Sequence, residues 1–256
     1  QKKEWFSGGG DGRKDCFCEK KGKEEIWKKQ SSSDDFEEGL EFELALTIDR
    51  PELYNDFLQK DGTTFCHDYW KNNFLEHHPL SQKQATRLYI GNQFCHNLFP
   101  EKKQLFQMLE KAFENKLAVT IAFTYVRDNL LEETEKLLQE LQVWCQEKEQ
   151  EVSKQQVATK EQKGSRKQPA MEIIVNDWAM PALLHGKPHL KPVLGVLLNK
   201  RRKDVRLPYK HGIGNHVDSL AENNLNCGFY QNYLKNTLNI QRFEFESCGY
   251  KVTIPD

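Results

Sequence analysis

The sequence lacks a long hydrophobic run, and it lacks an excess of charge of either sign. No apolar stretch approaches the ~20 residues that a membrane-spanning helix needs, and no apolar signal region follows the polar N-terminus. Lysine and arginine number 37 against 38 aspartate and glutamate, so the formal net charge is -1. These absences predict a cytoplasmic protein without a membrane partner, in which any nucleic-acid contact comes from a local patch.

The cysteines form neither a disulfide framework nor a regular zinc motif. Seven cysteines, an odd number at irregular intervals, predict reduced thiols. Cys16 and Cys18 are separated by one residue, which is too few for two thiolates to face one zinc ion. The tripeptide Phe-Cys-His occurs around Cys66 and again around Cys95, and it would gather two thiols and two imidazoles if these segments are neighbours. Buried structural thiols are the alternative interpretation.

Familiar catalytic motifs are also missing. The sequence has no His-Glu-x-x-His helix and no Gly-x-Ser-x-Gly elbow. Its glycine cluster at residues 8–12 follows no apolar strand, which argues against a phosphate-binding loop. Residues 1–40 combine these glycines with scattered charge and a serine run, and this composition predicts a loop-rich N-terminal segment.

From residue 42 onward, short apolar runs alternate with longer amphipathic ones. Six runs rich in Val, Ile, Leu and Phe have the length of strands: residues 42–48, 87–91, 117–124, 171–175, 192–198 and 240–245. Apolar residues recur at helical spacing after Pro100, and again from Leu130 to Trp144. This alternation is typical of parallel strands covered by helices.

The predicted fold is therefore α/β, a TIM-like (β/α) barrel spanning residues 41–256. Six strands are visible where a complete barrel has eight. Either two more strands lie in the N-terminal part and beyond Asp256, or the barrel is incomplete and the sheet is open. Residues 146–169 are dominated by Gln, Glu and Lys, which predicts a helix that runs into a charged, solvated connector.

Polar residues follow every predicted strand. They are Asp49-Arg50, Asn92, Tyr125 to Asp128, Asn176-Asp177, Asn199-Lys200 and Glu246. The carboxyl ends of parallel strands form the catalytic mouth of a barrel, so these are candidate site residues; capping of the next helix is the alternative. Trp178 comes directly after Asn176 and Asp177, and we expect it to form a flat apolar wall that stacks on a ring or raises the pKa of the carboxylate.

The segment around this wall resembles the bacterial U32 peptidase-like family. The resemblance is carried by EIIVNDW at residues 172–178 and by PVLGVLLNK at residues 192–200 with the following RRKD. Further similar pieces are LYIGN at residues 88–92 and RFEF at residues 242–245. The resemblance covers residues 42–248 and is strong over residues 171–204.

The resemblance implies a TIM-barrel-type catalytic region, in an enzyme that is either a collagenase-like peptidase or linked to hydroxylation of RNA or a ubiquinone precursor. At the strand ends it favours catalytic roles for Asp177, Asn176, Glu244 and Asn92. Hydroxylation-linked members carry cysteines for an iron-sulfur cluster, whereas residues 171–210 contain none. A four-thiolate cluster would need distant ligands to converge, namely Cys66, Cys95, Cys227 and Cys248.

A basic run follows the fifth predicted strand. Lys200, Arg201 and Arg202 are candidate substrate-binding residues together with Trp178 and Asn199, and the run would suit RNA or a phosphorylated ligand. A solvated loop is the other interpretation. Three hypotheses follow: a U32-like enzyme acting on a small molecule or peptide, an RNA-binding or RNA-modifying accessory, and a non-catalytic barrel that serves a partner protein.

Overall fold

The computed structural model describes residues 42–159, 170–201, 222–246 and 254, without the side chains of residues 155–159. The loop-rich segment predicted for residues 1–40 lies outside the described residues. All described helices and strands belong to one unit, residues 43–256.

Strands and helices alternate along the described chain. The strands are β1 (Ala45–Ile48), β2 (Arg87–Gly91), β3 (Ala118–Ala122), β4 (Met171–Val175), β5 (Leu190–Leu194) and β6 (Arg242–Phe243). The α-helices are α1 (Pro51–Gln59), α2 (Gly62–Asn72), α3 (Lys102–Glu114), α4 (Leu131–Thr159), α5 (Met180–Leu184) and α6 (Gly228–Asn236). The predicted α/β class is confirmed, and each of the six predicted strands overlaps an observed one.

The six strands form one parallel sheet in the order β1-β2-β3-β4-β5-β6. Parallel neighbours in chain order require a crossover after every strand, and right-handed crossovers place the connecting helices on the same face. The sheet curls away from these helices into a half-barrel. One difference from the sequence prediction concerns β5, because it ends at Leu194 and residues 195–198 form a turn instead of strand.

The helix-facing side of the sheet holds the main hydrophobic core. Ile48, Ile90, Ile121 and Ile173 lie side by side in the strand register, and none has measurable solvent exposure. Helix α3 covers them with Leu105, Met108, Leu109 and Ala112, a spacing that puts four apolar side chains on one face of a helix. The helix predicted after Pro100 is therefore confirmed.

The opposite, concave face of the sheet is layered. Near the amino ends of the strands, the buried Arg87 guanidinium contacts Glu172 and Glu43 at 3.0 Å each. Arg242 also pairs with Glu172. A small apolar layer of Ala122, Ile174 and Val193 packed against Tyr89 lies above these charges. Buried charges are tolerated where they are paired and hydrogen-bonded, as here, and their pairing closes the lower part of the concave face.

Helix α4 contains the first part of the predicted connector. It begins at Leu131, after a short turn of 3₁₀ helix at Asp128–Leu130, and continues to Thr159. Residues 146–159 of the predicted connector are thus helical, and residues 160–169 lie outside the described residues. Within the described ranges, no helix is long and apolar enough to cross a membrane.

Candidate functional site

Three residues at the carboxyl ends of neighbouring strands meet on the concave face. Asn176 follows β4, Gly195 follows β5 and Glu244 follows β6. The sheet hydrogen bonding extends to this level, because the Gly195 N–H donates to the Val175 carbonyl and the Glu244 N–H to the Leu194 carbonyl, both at 2.8 Å. Asn176 and Glu244, two of the predicted catalytic residues, are therefore brought together.

The Glu244 carboxylate is held from several sides. Gln93 Nε2 donates to its two oxygens at 3.2 and 2.9 Å, and the Val196 backbone N–H donates to Oε2 at 3.3 Å. Asn199 Nδ2 donates to the Glu244 main-chain carbonyl at 2.6 Å. The side chain and the backbone of Glu244 are thus positioned by separate partners, which gives the carboxylate a fixed direction in the cleft.

Burial raises the pKa of the Glu244 carboxyl above its ordinary value. The Glu172 charge adds to this rise, whereas hydrogen bonds from Gln93, the Val196 N–H and Tyr89 oppose it. Burial also raises the pKa of Tyr89 to about 12, with the Glu244 charge as a second cause. A carboxyl group with a raised pKa is suited to proton transfer, because its protonated and its ionised forms coexist at a pH closer to neutrality.

Asn176 links the strand ends below this carboxylate. Its Nδ2 donates to the Phe123 carbonyl at 2.8 Å and to Gln93 Oε1 at 3.2 Å, and its Oδ1 accepts from the Leu197 N–H at 3.3 Å. The side chain is 4% exposed. It holds Gln93, which in turn holds Glu244, so its role in the structure is to position the carboxylate.

A glycine at position 195 makes room for this asparagine. A Cβ atom built on Gly195 would lie 2.0 Å from Asn176 Oδ1 and 2.7 Å from Ile174 Cγ2. Both distances are far inside van der Waals contact. The backbone of β5 therefore approaches Asn176 as closely as it does because residue 195 has no side chain.

An open cleft of about 480 Å³ lies above the concave face at Glu244. We call it the carboxylate cleft. Its lining includes Asp49, Tyr89, Gln93, Phe94, Glu244 and Glu246. Its volume falls in the range of small-molecule sites. The cleft is where a ligand would reach the Glu244 carboxyl.

Asp177 and Asn92, the other predicted catalytic residues, bind backbone groups. Asp177 accepts hydrogen bonds from the Ala179 N–H at 2.8 Å and the Met180 N–H at 3.0 Å, and also from the Val126 N–H. Asn92 donates to the Asp49 carbonyl and accepts from the backbone N–H groups of residues 94 and 95. Each side chain thus accepts from the N–H groups two and three residues later, in the loop that follows its strand, and neither is the N-cap of the next helix.

Trp178 faces away from the carboxylate cleft. Its ring packs edge-on against Tyr230 at 6.2 Å and against Tyr233 at 6.3 Å, both on α6. It lines a separate groove that includes Pro181 and Leu238, and it does not line the carboxylate cleft. The prediction of a flat wall beside the Asn176 and Asp177 side chains therefore does not describe the observed orientation.

The predicted basic patch is described only at its start. Lys200 is exposed, and Arg201 forms an isolated antiparallel bridge with Asn223. Arg202 and the rest of the patch lie outside the described residues. Asn199, also predicted to bind substrate, is buried and holds the Glu244 backbone.

The described cysteines do not form a metal centre. Cys66 lies in α2, Cys95 follows β2 and Cys227 precedes α6, while Cys248 is outside the described residues. Across the part of the chain that the structure describes, no group of three or more His, Cys, Asp or Glu residues could hold a metal ion. The three thiols therefore do not fit the four-cysteine iron-sulfur cluster that the resemblance implied.

Gln93 and Tyr89 are site residues that the sequence reasoning missed. Gln93 lies two residues after Gly91, the last residue of β2, so that alternation along the strand puts it on the concave side. The same alternation places Tyr89 there. The sequence signal that could have found both residues is the two-residue alternation of side chains along β2 and just beyond its end.

Comparison of the chain with protein-family models, with curated proteins and with solved structures finds no match in any of the three. The candidate site therefore rests on the geometry and chemistry of its own residues.

Proposed function

We propose that the protein is a U32 peptidase-like enzyme whose active site is the carboxylate cleft, with Glu244 as the proton-transferring group. One observation carries the proposal: at the carboxyl end of the sheet, the partly buried Glu244 carboxyl opens into a cleft and has a raised pKa. A carboxyl that faces a cleft and has a raised pKa is a common mark of a catalytic acid or base.

In this proposal the surrounding amides act on Glu244 and not on the substrate. Gln93 and the Val196 N–H donate to its oxygens and so fix the direction in which a proton leaves or arrives. Asn176 orients Gln93 because its Nδ2 donates to Gln93 Oε1 while it is itself anchored by donating to the Phe123 carbonyl. Asn199 anchors the peptide carbonyl of Glu244. All four are positioning residues.

The proposal extends to the complete fold and to the compartment. Parallel strands in chain order, helices along one face and layered side chains on the other are features of TIM barrels, and they support a barrel-type catalytic region.

The cytoplasm remains the compartment that we propose. Cys66, Cys95, Cys145 and Cys227 are free thiols, which is the expected state in a reducing environment.

The test is hydrolysis of gelatin and of casein by the parent chain and by Glu244→Gln. This substitution keeps the size of the side chain and its hydrogen-bonding oxygen but removes the ionisable group. We expect a loss of roughly 10²- to 10⁴-fold in rate, the usual contribution of a general acid or base. Glu132→Gln, on the exposed face of α4, is the matched control and should keep the parent rate.

Two results would overturn the proposal. If the parent hydrolyses neither protein, the proposal that the protein is a peptidase is refuted. If Glu244→Gln hydrolyses them as fast as Glu132→Gln, the carboxyl does not take part in catalysis.

A further inference from the structure

The charged groups that line the carboxylate cleft are all acidic. Asp49, Glu244 and Glu246 contribute carboxylates, whereas no Lys, Arg or His is among the described residues of the lining. Carboxylates that share a concave, partly desolvated surface produce a negative potential that concentrates positive ions. The cleft therefore disfavours anionic ligands.

Aromatic rings stand beside these carboxylates. Phe94 is 66% exposed and Phe245 37% exposed, although both are large apolar side chains, and Tyr89 and Phe243 complete the aromatic part of the lining. Ring faces attract cations through their quadrupole, and they also cover the apolar part of a ligand. Rings and carboxylates together favour a ligand that is both positive and partly apolar.

The buried Arg87 and the exposed Arg242 do not neutralise this surface. Arg87 contacts Glu43 and Glu172, and Arg242 contacts Glu172, at the layer below Tyr89. Two positive and two negative charges in that layer balance each other. Neither arginine lines the cleft. The two arginines are therefore paired within their own layer and do not offset the charges of Asp49 and Glu244.

A bare metal ion does not suit the cleft. Over the described ranges, no three acidic, histidine or cysteine groups come close enough together to hold a metal. Tight metal sites need several oxygen ligands at coordination distance. A cation that carries an apolar body can contact the rings as well as the carboxylates, which a bare metal ion cannot do.

We infer that the carboxylate cleft binds an organic amine in its ammonium form, with the charge near Glu244 and the apolar body against Phe94 and Phe245. The inference rests on the proposed function, since it names the ligand class of the same site. Binding of the amine can be measured whether or not the protein hydrolyses a substrate.

Ammonium binding should be coupled to the ionisation of Glu244. Burial holds the pKa of this carboxyl high, and a bound cation would favour the ionised form and lower that pKa again. The titratable and charged groups around Glu244 are Tyr89 from β2 and Glu172 from β4, Asp49 and Glu246 in the cleft lining, and Arg87 and Arg242, which are paired with Glu172. Affinity should therefore rise with pH while Glu244 loses its proton.

The experiment compares three probes of equal size that differ in charge: phenethylamine, phenethyl alcohol and phenylacetate. Isothermal titration of the full chain at neutral pH should give an affinity for phenethylamine about tenfold or more above that for the alcohol, with no measurable binding of phenylacetate. Glu244→Gln and Asp49→Asn should each lower the affinity for the amine several-fold. Glu132→Gln, remote from the cleft, should leave it unchanged.

Equal binding of the amine and phenylacetate would overturn the inference, as would amine binding that neither Glu244→Gln nor Asp49→Asn weakens. The outcome is separable from that of the hydrolysis test. Selective amine binding without any peptide hydrolysis would leave the ligand class standing and remove the enzymatic proposal. Hydrolysis that depends on Glu244 without amine selectivity would do the reverse.

Discussion

Replacement of Gly195 by alanine tests whether the strand ends are packed as described. The new Cβ would lie 2.0 Å from Asn176 Oδ1 and 2.7 Å from Ile174 Cγ2, so at least one of these groups must move. Asn176 cannot turn away without losing its hydrogen bond to the Phe123 carbonyl, which is 2.8 Å long. The substitution therefore exchanges a steric clash for a buried carbonyl that lacks its partner.

The expected cost follows from these two effects. Overpacking a close-packed site costs roughly 1–3 kcal/mol, and a buried polar group left without its partner costs roughly 1–3 kcal/mol. The two costs do not add in full, because a movement of Asn176 that relieves the clash also breaks its hydrogen bond. We expect Gly195→Ala to lower the free energy of unfolding by roughly 1–3 kcal/mol, a large fraction of the stability of an ordinary domain.

Urea unfolding followed by circular dichroism measures this free energy, and Gly228→Ala is the matched control. Gly228 begins α6, and a Cβ built on it would meet no atom within 4 Å. Its replacement should change the stability by about 0.5 kcal/mol or less. Combining Gly195→Ala with Asn176→Ala should cost less than the sum of the two single changes, because the clash is then partly removed.

The reasoning is refuted if Gly195→Ala unfolds at the same urea concentration as Gly228→Ala. Strict additivity with Asn176→Ala would also contradict it, because the two residues would then not be in contact. Either result would mean that β5 does not approach Asn176 closely.

Three further predictions concern the charges and the core. Glu172→Gln leaves the buried Arg87 with the half-exposed Glu43 as its one carboxylate partner and should cost roughly 1.5–3 kcal/mol in urea unfolding, against at most about 1 kcal/mol for Glu43→Gln; equal costs would contradict the buried network. Burial raises the pKa of Glu244 in the folded protein above 4.5, so the parent loses stability as the pH rises from 4.5 towards that raised pKa. Glu244→Gln cannot ionise, so its free energy of unfolding should increase relative to that of the parent over this pH range; a difference that does not change with pH would exclude the shift. Leu109→Ala should lose roughly 2–5 kcal/mol by calorimetry or urea, and a loss below about 1 kcal/mol would place the side chain outside the core.

The secondary structure was largely predictable because its signal is local. Near-continuous apolar runs such as residues 171–175 predicted buried parallel strands, and the helical spacing at Leu105, Met108 and Leu109 predicted α3. The end of β5 was placed too late. Residues 195–198 are apolar like the strand before them, but a turn at Gly195 accommodates the side chain of Asn176, which comes from a different strand.

The candidate site was predictable in location but not in role. The strand-end rule identified Asn176 and Asn199, whereas it gave Glu246 for the sixth strand, and Glu244 came from the family resemblance; the structure brings Asn176, Asn199 and Glu244 together. The same rule gave equal weight to Asp177, whose oxygens accept backbone N–H groups. Adjacent residues point in different directions, and the sequence does not record which of two neighbours turns into the cleft. The RNA-binding alternative stays a prediction, since Arg202 lies outside the described residues.

By itself the sequence determined the α/β class, the six strands and the end of the sheet at which polar groups gather, because hydrophobic periodicity is written along the chain. Tertiary structure alone decided that Glu244, 151 residues from Gln93, receives its hydrogen bonds and that burial raises its pKa. It also decided that Trp178 packs against α6. Burial and hydrogen-bond partners arise where strands distant in sequence meet, so the chemistry of Glu244 depends on the folded sheet.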